Sequence, residues 1–264
     1  MQFVGFCLLN NMNNYKLESE LDPIDPPSKP TAYGTLDLRL ADCMDVMKTF
    51  PDGHFDLAIV DPPYGIGWDK QNLSAALGLR KDGSRRVDKS WKAKTTAKEK
   101  YKRGEWDSKI PEPEYFEELR RVSKKQVIWG GNYFPLPPTG GWIIWDKKKP
   151  KDVFFSEGEM AWTNVCQSVR FFRWLWAGYA KQEPEDRIHP TQKPVALYRW
   201  LLDRYAKPGQ RVLDTHLGSG SHAIAAHYAG VHLTACEIDP DYFHAAKERI
   251  VRETAQTVMF LPNV

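Results

Sequence analysis

Val212-Leu213-Asp214-Thr215-His216-Leu217-Gly218-Ser219-Gly220 decides the fold. A short apolar run ends at an acid, and a glycine-rich turn then opens a small-residue segment, Ser221 to Tyr228, that reads as a helix. Glycines at such a turn adopt positive φ and let backbone approach a ligand closely. The N–H groups of the helix start lie next to it. A second apolar run, Leu233 to Cys236, ends at Glu237, 23 residues after Asp214. An acid at the end of the second strand can hold the hydroxyls of an adenosine ribose. The layout predicts a nucleoside-containing cofactor. The dinucleotide pattern G-x-G-x-x-G is absent, and Asp214 precedes the glycines instead. A carboxylate there repels a pyrophosphate and suits the ammonium of an amino-acid tail, which favours S-adenosylmethionine over a nicotinamide dinucleotide. A tight structural turn is the alternative reading of the glycines.

Working outward, short apolar runs alternate with helical patterns. Strands are expected at Thr35 to Leu40, Asp56 to Val60, Gln126 to Trp129, Trp142 to Trp145, Arg211 to Leu213 and Leu233 to Cys236. Helices are expected at Cys43 to Phe50, Pro111 to Arg121, Pro194 to Tyr205, Ser221 to Tyr228 and Asp241 to Val251. This alternation predicts a doubly wound, Rossmann-like α/β sheet, mostly parallel. Residues 1–34 read as an irregular lead-in and 35–264 as one catalytic domain with a basic insert at about 66–110. Phe172, Trp174 and Trp176, at strand alternation, are expected in the core rather than on a nucleic acid.

The chain has 264 residues, 42% hydrophobic and 27% charged, which excludes collagen, a disulfide-stapled miniprotein and a wholly disordered chain. No apolar run approaches the roughly 20 residues needed to span a bilayer. Four scattered cysteines without a C-x-x-C pair point to a reducing, cytoplasmic setting. His216, His222, His227 and His232 lack the spacing of a metal pair, so no metal is expected. Net charge is +3, yet Arg80 to Arg103 holds eleven Lys or Arg against three acids, +8 in that window and hence −5 elsewhere. Such a segment suits a polyanion; a solvated insert is the alternative.

Val60-Asp61-Pro62-Pro63-Tyr64-Gly65 follows a strand and belongs on a loop at the carboxyl edge of the sheet. Two prolines fix the backbone and remove two N–H donors. The Asp61 carboxylate and Pro62 carbonyl can then accept from one amino group, and Tyr64 offers a flat face to a ring. Methylation of an exocyclic amine needs such acceptors, because they stabilise positive charge developing on the nitrogen.

D-P-P-Y at 61–64 together with D-x-x-x-G-S-G at 214–220 resembles the amino-group DNA methyltransferases. The order of the two motifs is similar to the permuted β class found among restriction–modification and phage enzymes. Gly130-Gly131-Asn132-Tyr133-Phe134, His189-Pro190-Thr191-Gln192-Lys193-Pro194 and Leu40-Ala41-Asp42-Cys43 resemble further family segments. The resemblance implies Asp61, Pro62, Pro63 and Tyr64 as the catalytic set, and Tyr133 and Phe134 as base-pocket walls. It implies Asp42, His189, Thr191, Lys193, Asp214, Gly218, Ser219, Gly220 and Glu237 as the S-adenosylmethionine site. DNA is the implied partner, with Arg85, Arg86, Lys89, Lys92 and Lys94 in the basic insert as its contacts. A homodimer and a cognate restriction nuclease stay open, and no membrane is involved. Asp rather than Ser at 61 favours adenine N6; cytosine N4, an RNA base, or an inactive DNA-binding relative are the alternatives. Thr215-His216 replaces the commoner Pro-Phe, and Ala41 replaces Gly.

Overall fold

The computed structural model describes residues 33–67, 107–149, 156–177 and 180–255. The lead-in before residue 33 and the basic residues Arg85, Arg86, Lys89, Lys92 and Lys94 lie outside the described residues.

Among the described residues ten strands form in chain order: β1 (Leu36–Leu40), β2 (Leu57–Val60), β3 (Gln126–Trp129), β4 (Gly141–Asp146), β5 (Gly158–Thr163), β6 (Val169–Arg173), β7 (Trp176–Ala177), β8 (Ala180–Lys181), β9 (Arg211–Asp214) and β10 (His232–Glu237). The described helices are α1 (Cys43–Lys48), α2 (Pro113–Val122), α3 (Val195–Tyr205), α4 (Ser221–Ala229) and α5 (Pro240–Ala255). The main sheet runs β1-β10-β9-β2-β3-β5-β4-β6. β1, β10, β9, β2 and β3 are mutually parallel, and β5 runs against both of its neighbours. β7 and β8 form a separate antiparallel pair. The expected mostly parallel, doubly wound sheet is therefore present.

Strand alternation splits the core in two. Leu57, Ile59, Val127, Trp129, Val212 and Leu233 pack toward α3, α4 and α5, against Leu197, Leu201, Ile224 and Ile250. Ala58, Val60, Ile128 and Leu213 face the other way, against Met47 of α1 and Tyr115, Phe116 and Leu119 of α2. Both faces are covered, which is why these strands read as continuous apolar runs. Phe172, Trp174 and Trp176 are buried in the first core, as expected. Among the described residues, no helix is long and apolar enough to cross a membrane.

Helix limits shift by one or two residues from expectation, except that α5 runs four residues past Val251 to Ala255. Pro194 precedes α3 as its cap in an extended conformation (φ −69°, ψ 148°), not within its first turn. Strands β5 and β6 were not expected. β6 is an edge strand with Val169 and Phe171 exposed, so it has no clean apolar face to read.

Candidate active site

Five parallel strands end at one edge of the sheet, and each delivers a residue singled out above. β10 ends at Glu237 and β9 at Asp214; Asp61 follows β2, Gly130 follows β3, and Asp42 lies two residues past β1. The Ala41 N–H donates to the Glu237 carbonyl at 3.0 Å, so Asp42 and Glu237 leave adjacent strands side by side. Asp61 and Asp214, 153 residues apart in sequence, thus leave neighbouring strands at one sheet edge because β2 pairs directly with β9.

Each oxygen of the Asp61 carboxylate accepts one hydrogen bond, which leaves further lone pairs for a ligand. Tyr64 donates its hydroxyl to Oδ1 at 2.6 Å, and Lys193 donates to Oδ2 at 2.5 Å. Burial raises the Asp61 carboxyl above its ordinary range, against the pull of Lys193. Burial alone would lower the Lys193 ammonium, but Asp61 and Glu159 outweigh it and hold it above normal. Lys193 therefore sits on the Asp61 carboxylate, whereas its motif implied the amino-acid end of a cofactor.

Local backbone places Tyr64. Asp107, itself buried, accepts from the N–H groups of Tyr64 and Gly65 at 2.8 and 3.0 Å. The tyrosine ring lies over Gly130, whose φ is +70° and where a Cβ would stand 2.2 Å from a ring carbon. Tyr133 stacks on the Tyr64 ring at 5.2 Å with an 18° interplanar angle. Phe134 does not line the cavity here. It is buried, edge-on to Tyr64 at 6.2 Å and tilted against Phe116 at 5.1 Å, so it backs the wall that Tyr133 faces. The cavity, about 440 Å³, gathers Asp61 to Tyr64, Tyr133, Lys147, Glu159 and Pro190 to Lys193. That volume suits a small planar ligand.

The glycine turn has its own supports. Gly218 and Gly220 have φ of +51° and +75°. Glu237 Oε2 accepts from Gly218 N at 2.9 Å, and Oε1 accepts from the N–H groups of Ile238 and Asp239. Three of about four acceptor positions are filled, so Oε2 keeps one open. A Cβ on Gly218 would meet only the His216 carbonyl at 3.8 Å, so the space over this glycine is clear. Asp214 is buried, accepting from His216 N at 3.0 Å and pairing with His222 Nδ1 at 2.9 Å. Ser219 turns its hydroxyl inward to Ser221 at 3.1 Å. Asp42 caps α1 by accepting from Met44 N at 2.7 Å. Thr191 bonds the His189 ring nitrogen through its N–H and hydroxyl at 3.3 and 3.1 Å. Burial pushes His189 down to about 3, with Arg187 and Lys193 adding to the shift.

Several residues in these contacts were not singled out from the sequence. Asp107, Glu159 and Glu185 come from loops and strands with no motif around them, whereas Lys147 opens the run Lys147-Lys148-Lys149, which reads from sequence as a solvated turn or a phosphate contact and here pairs with Glu159 at 2.6 Å. Arg249, fully buried on α5, donates to the Ser219 carbonyl, Ser221, Glu185 and Glu253. It ties the glycine turn to the segment preceding His189. The only sequence hint was an arginine on the apolar side of a helix next to Ile250.

A family model described as DNA methylase matches residues 138–248. The chain is 25% identical over 219 residues to the putative methylase YubD of Escherichia coli K12, covering 79% of this chain and 87% of that protein. It is likewise 25% identical over 251 residues to the type II methyltransferase M.HinfI of Haemophilus influenzae, covering 79% of this chain and 66% of that one. Among solved structures, an M1.HpyAVI–SAM complex aligns with a TM-score of 0.47 at 16% identity, over 81% of this chain and all of that one. The family match includes the Lys193 segment, the glycine turn and Glu237, so over that stretch the chain is similar to DNA methylases.

Proposed function

We propose that this chain transfers a methyl group from S-adenosylmethionine to N6 of an adenine flipped out of duplex DNA. The observation that carries the reading is the shared sheet edge. Asp61 and Tyr64 follow β2, and the Gly218 turn and Glu237 belong to its neighbour β9 and the next strand, β10.

The residues present fit the cofactor. Glu237 keeps an acceptor for a ribose hydroxyl, and the clear space over Gly218 admits close approach. Asp42 and Asp214 stand at the same sheet edge as Glu237, and Thr191 bonds the His189 ring nitrogen in the segment before α3. Bound there, S-adenosylmethionine would supply an electrophilic methyl on its sulfonium, which the amine lone pair would take while the C–S pair stayed with sulfur as a thioether. Asp61 and the Pro62 carbonyl accept from the two N–H groups of the amine. They stabilise its developing positive charge, and the surplus proton leaves through Asp61 or water after transfer. Tyr64 presents its ring to the base. Tyr133, now on that ring and 44% exposed, swings aside to admit it.

Adenine is favoured by aspartate rather than serine at position 61, on the family resemblance. DNA is bound through the basic segment containing Arg85, Arg86, Lys89, Lys92 and Lys94. The experiment incubates purified protein with labelled S-adenosylmethionine and unmethylated duplex DNA, then digests to nucleosides for mass spectrometry. N6-methyladenine is expected. N4-methylcytosine would move the assignment to cytosine, and no labelled nucleoside would overturn the reading.

A further inference from the structure

A second carboxylate faces the ammonium that holds Asp61. Lys193 has three N–H bonds, and all are used: Asp61 Oδ2 at 2.5 Å, Glu159 Oε2 at 3.0 Å and the Tyr64 hydroxyl at 3.2 Å. The rings of Tyr64 and Trp129 lie 5.6 and 5.5 Å from the same nitrogen. Lys147 closes the other Glu159 oxygen at 2.6 Å.

The fold explains how Glu159 arrives. β5 runs antiparallel to β3, with Ala161 opposite Trp129. The start of a reversed strand lies at the carboxyl edge of its parallel neighbours. Glu159, two residues before Ala161, therefore projects beyond the end of β3 beside Asp61 and Tyr64. It stands 98 residues from Asp61 in sequence, in no recognisable motif.

We propose that Glu159 is a positioning residue for methyl transfer, which holds Lys193 between two carboxylates so that Asp61 keeps net negative charge toward the incoming amine. The inference rests on the methyl-transfer reading above. Asp61 paired one-to-one with a buried ammonium would be neutralised, and a neutral pair stabilises a developing cation poorly. Two carboxylates around one ammonium leave a surplus negative charge. Lys147 brings the formal sum of the four groups to zero, but it binds the Glu159 oxygen that Lys193 does not touch, so it reduces the negative charge next to Asp61 without removing it.

Other groups facing this cluster are Tyr198 of α3, whose hydroxyl burial and Asp61 hold well above its ordinary range, and His189, which burial keeps neutral. Burial would raise Glu159, but Lys193 and Lys147 reverse this and bring it down to about 2. Glu159 therefore stays charged wherever Asp61 titrates. Its charge raises the Asp61 carboxyl. Removing that charge by Glu159→Gln shifts the acid limb of the rate profile to lower pH. Removing Lys147 by Lys147→Gln makes the cluster more negative and shifts the limb to higher pH.

The test measures single-turnover methyl transfer against pH for the parent, Glu159→Gln and Lys147→Gln, with S-adenosylmethionine affinity and melting temperature alongside. Glu159→Gln is expected to slow transfer on the order of tenfold to a hundredfold, with cofactor affinity near that of the parent and the acid limb lowered. Lys147→Gln is expected to move the limb the opposite way. A parental rate and limb in Glu159→Gln, or limbs that move together in both variants, overturns the proposal. If Glu159→Gln does not fold, the upward limb in Lys147→Gln decides alone. A parent that transfers no methyl defeats the functional reading instead. The Lys193 ammonium titration, followed by 15N-lysine NMR, then still tests the inference: a lower midpoint in Glu159→Gln supports it, and an unchanged one overturns it.

Discussion

Gly130 lies beneath the Tyr64 ring at φ +70°, and an alanine methyl there would stand 2.2 Å from one ring carbon and 2.4 Å from another. Gly67 also has positive φ (+61°), but nothing lies within 4 Å of its Cβ position. The pair separates backbone strain from the cost of moving the tyrosine. Gly67→Ala should cost about 1 kcal/mol of stability. Gly130→Ala should cost on the order of 3 kcal/mol and also remove most methyl transfer, since Tyr64 must leave Asp61. Denaturant unfolding with a transfer assay checks both, and equal effects would contradict the account. Gly218→Ala, at φ +51°, is expected to cost about 1 kcal/mol of stability as Gly67→Ala does, and to weaken S-adenosylmethionine binding at least tenfold besides, because its methyl enters clear space over the turn. Isothermal titration measures that. At this scale the sequence was legible where chemistry is contiguous: Asp61 and Tyr64 are three residues apart and do meet. Lys193 reaches Asp61 across 132 residues and Asp107 reaches Tyr64 across 43, and no spacing rule predicts contacts made by the paths of loops.

Among elements, α5 carries the support that matters most to the glycine turn. Arg249 is fully buried there, on Ser219, Ser221, Glu185 and Glu253. Burial raises the Glu185 carboxyl, and Arg249 is the main group opposing that rise. Arg249→Ala leaves Glu185 buried without this partner and should cost about 3–5 kcal/mol. Adding Glu185→Gln should recover part of the loss, by removing the stranded charge. Urea unfolding of the single and double variants tests this; additive losses would contradict it. The elements themselves were readable where burial on both faces makes an unbroken apolar run, as in Leu57–Val60 and Gln126–Trp129. β5 was not readable. Its first three residues, Gly158, Glu159 and Met160, carry a charge toward the cavity and a half-exposed methionine, so its pattern resembles a loop. That missing strand is the one that carries Glu159.

For the whole molecule, two histidines in the site region should make stability fall on acidification. Burial pushes His216 down to about 4 and His189 to about 3, from an ordinary 6.5. Above pH 6.5 neither folded nor unfolded chain binds a proton at these rings, so they contribute nothing to pH dependence. Below it the unfolded chain binds protons that the folded chain refuses. Each ring then costs up to about 1.4 kcal/mol per pH unit until its folded value is reached. The urea midpoint should therefore fall from pH 6.5 toward 4, and His216→Phe should flatten that slope. A pH slope that is the same in His216→Phe as in the parent would contradict the assignment to His216.

At the same scale, the account turns on two distant segments meeting at one sheet edge, with Asp61 acting on the amine and Glu237 on the cofactor. Asp61→Ala and Glu237→Ala measured together, for S-adenosylmethionine affinity and for single-turnover transfer to DNA, test this most directly. The account predicts that Asp61→Ala binds the cofactor close to parental strength and transfers no methyl, while Glu237→Ala loses affinity first. Methyl transfer at the parental rate by Asp61→Ala would contradict it.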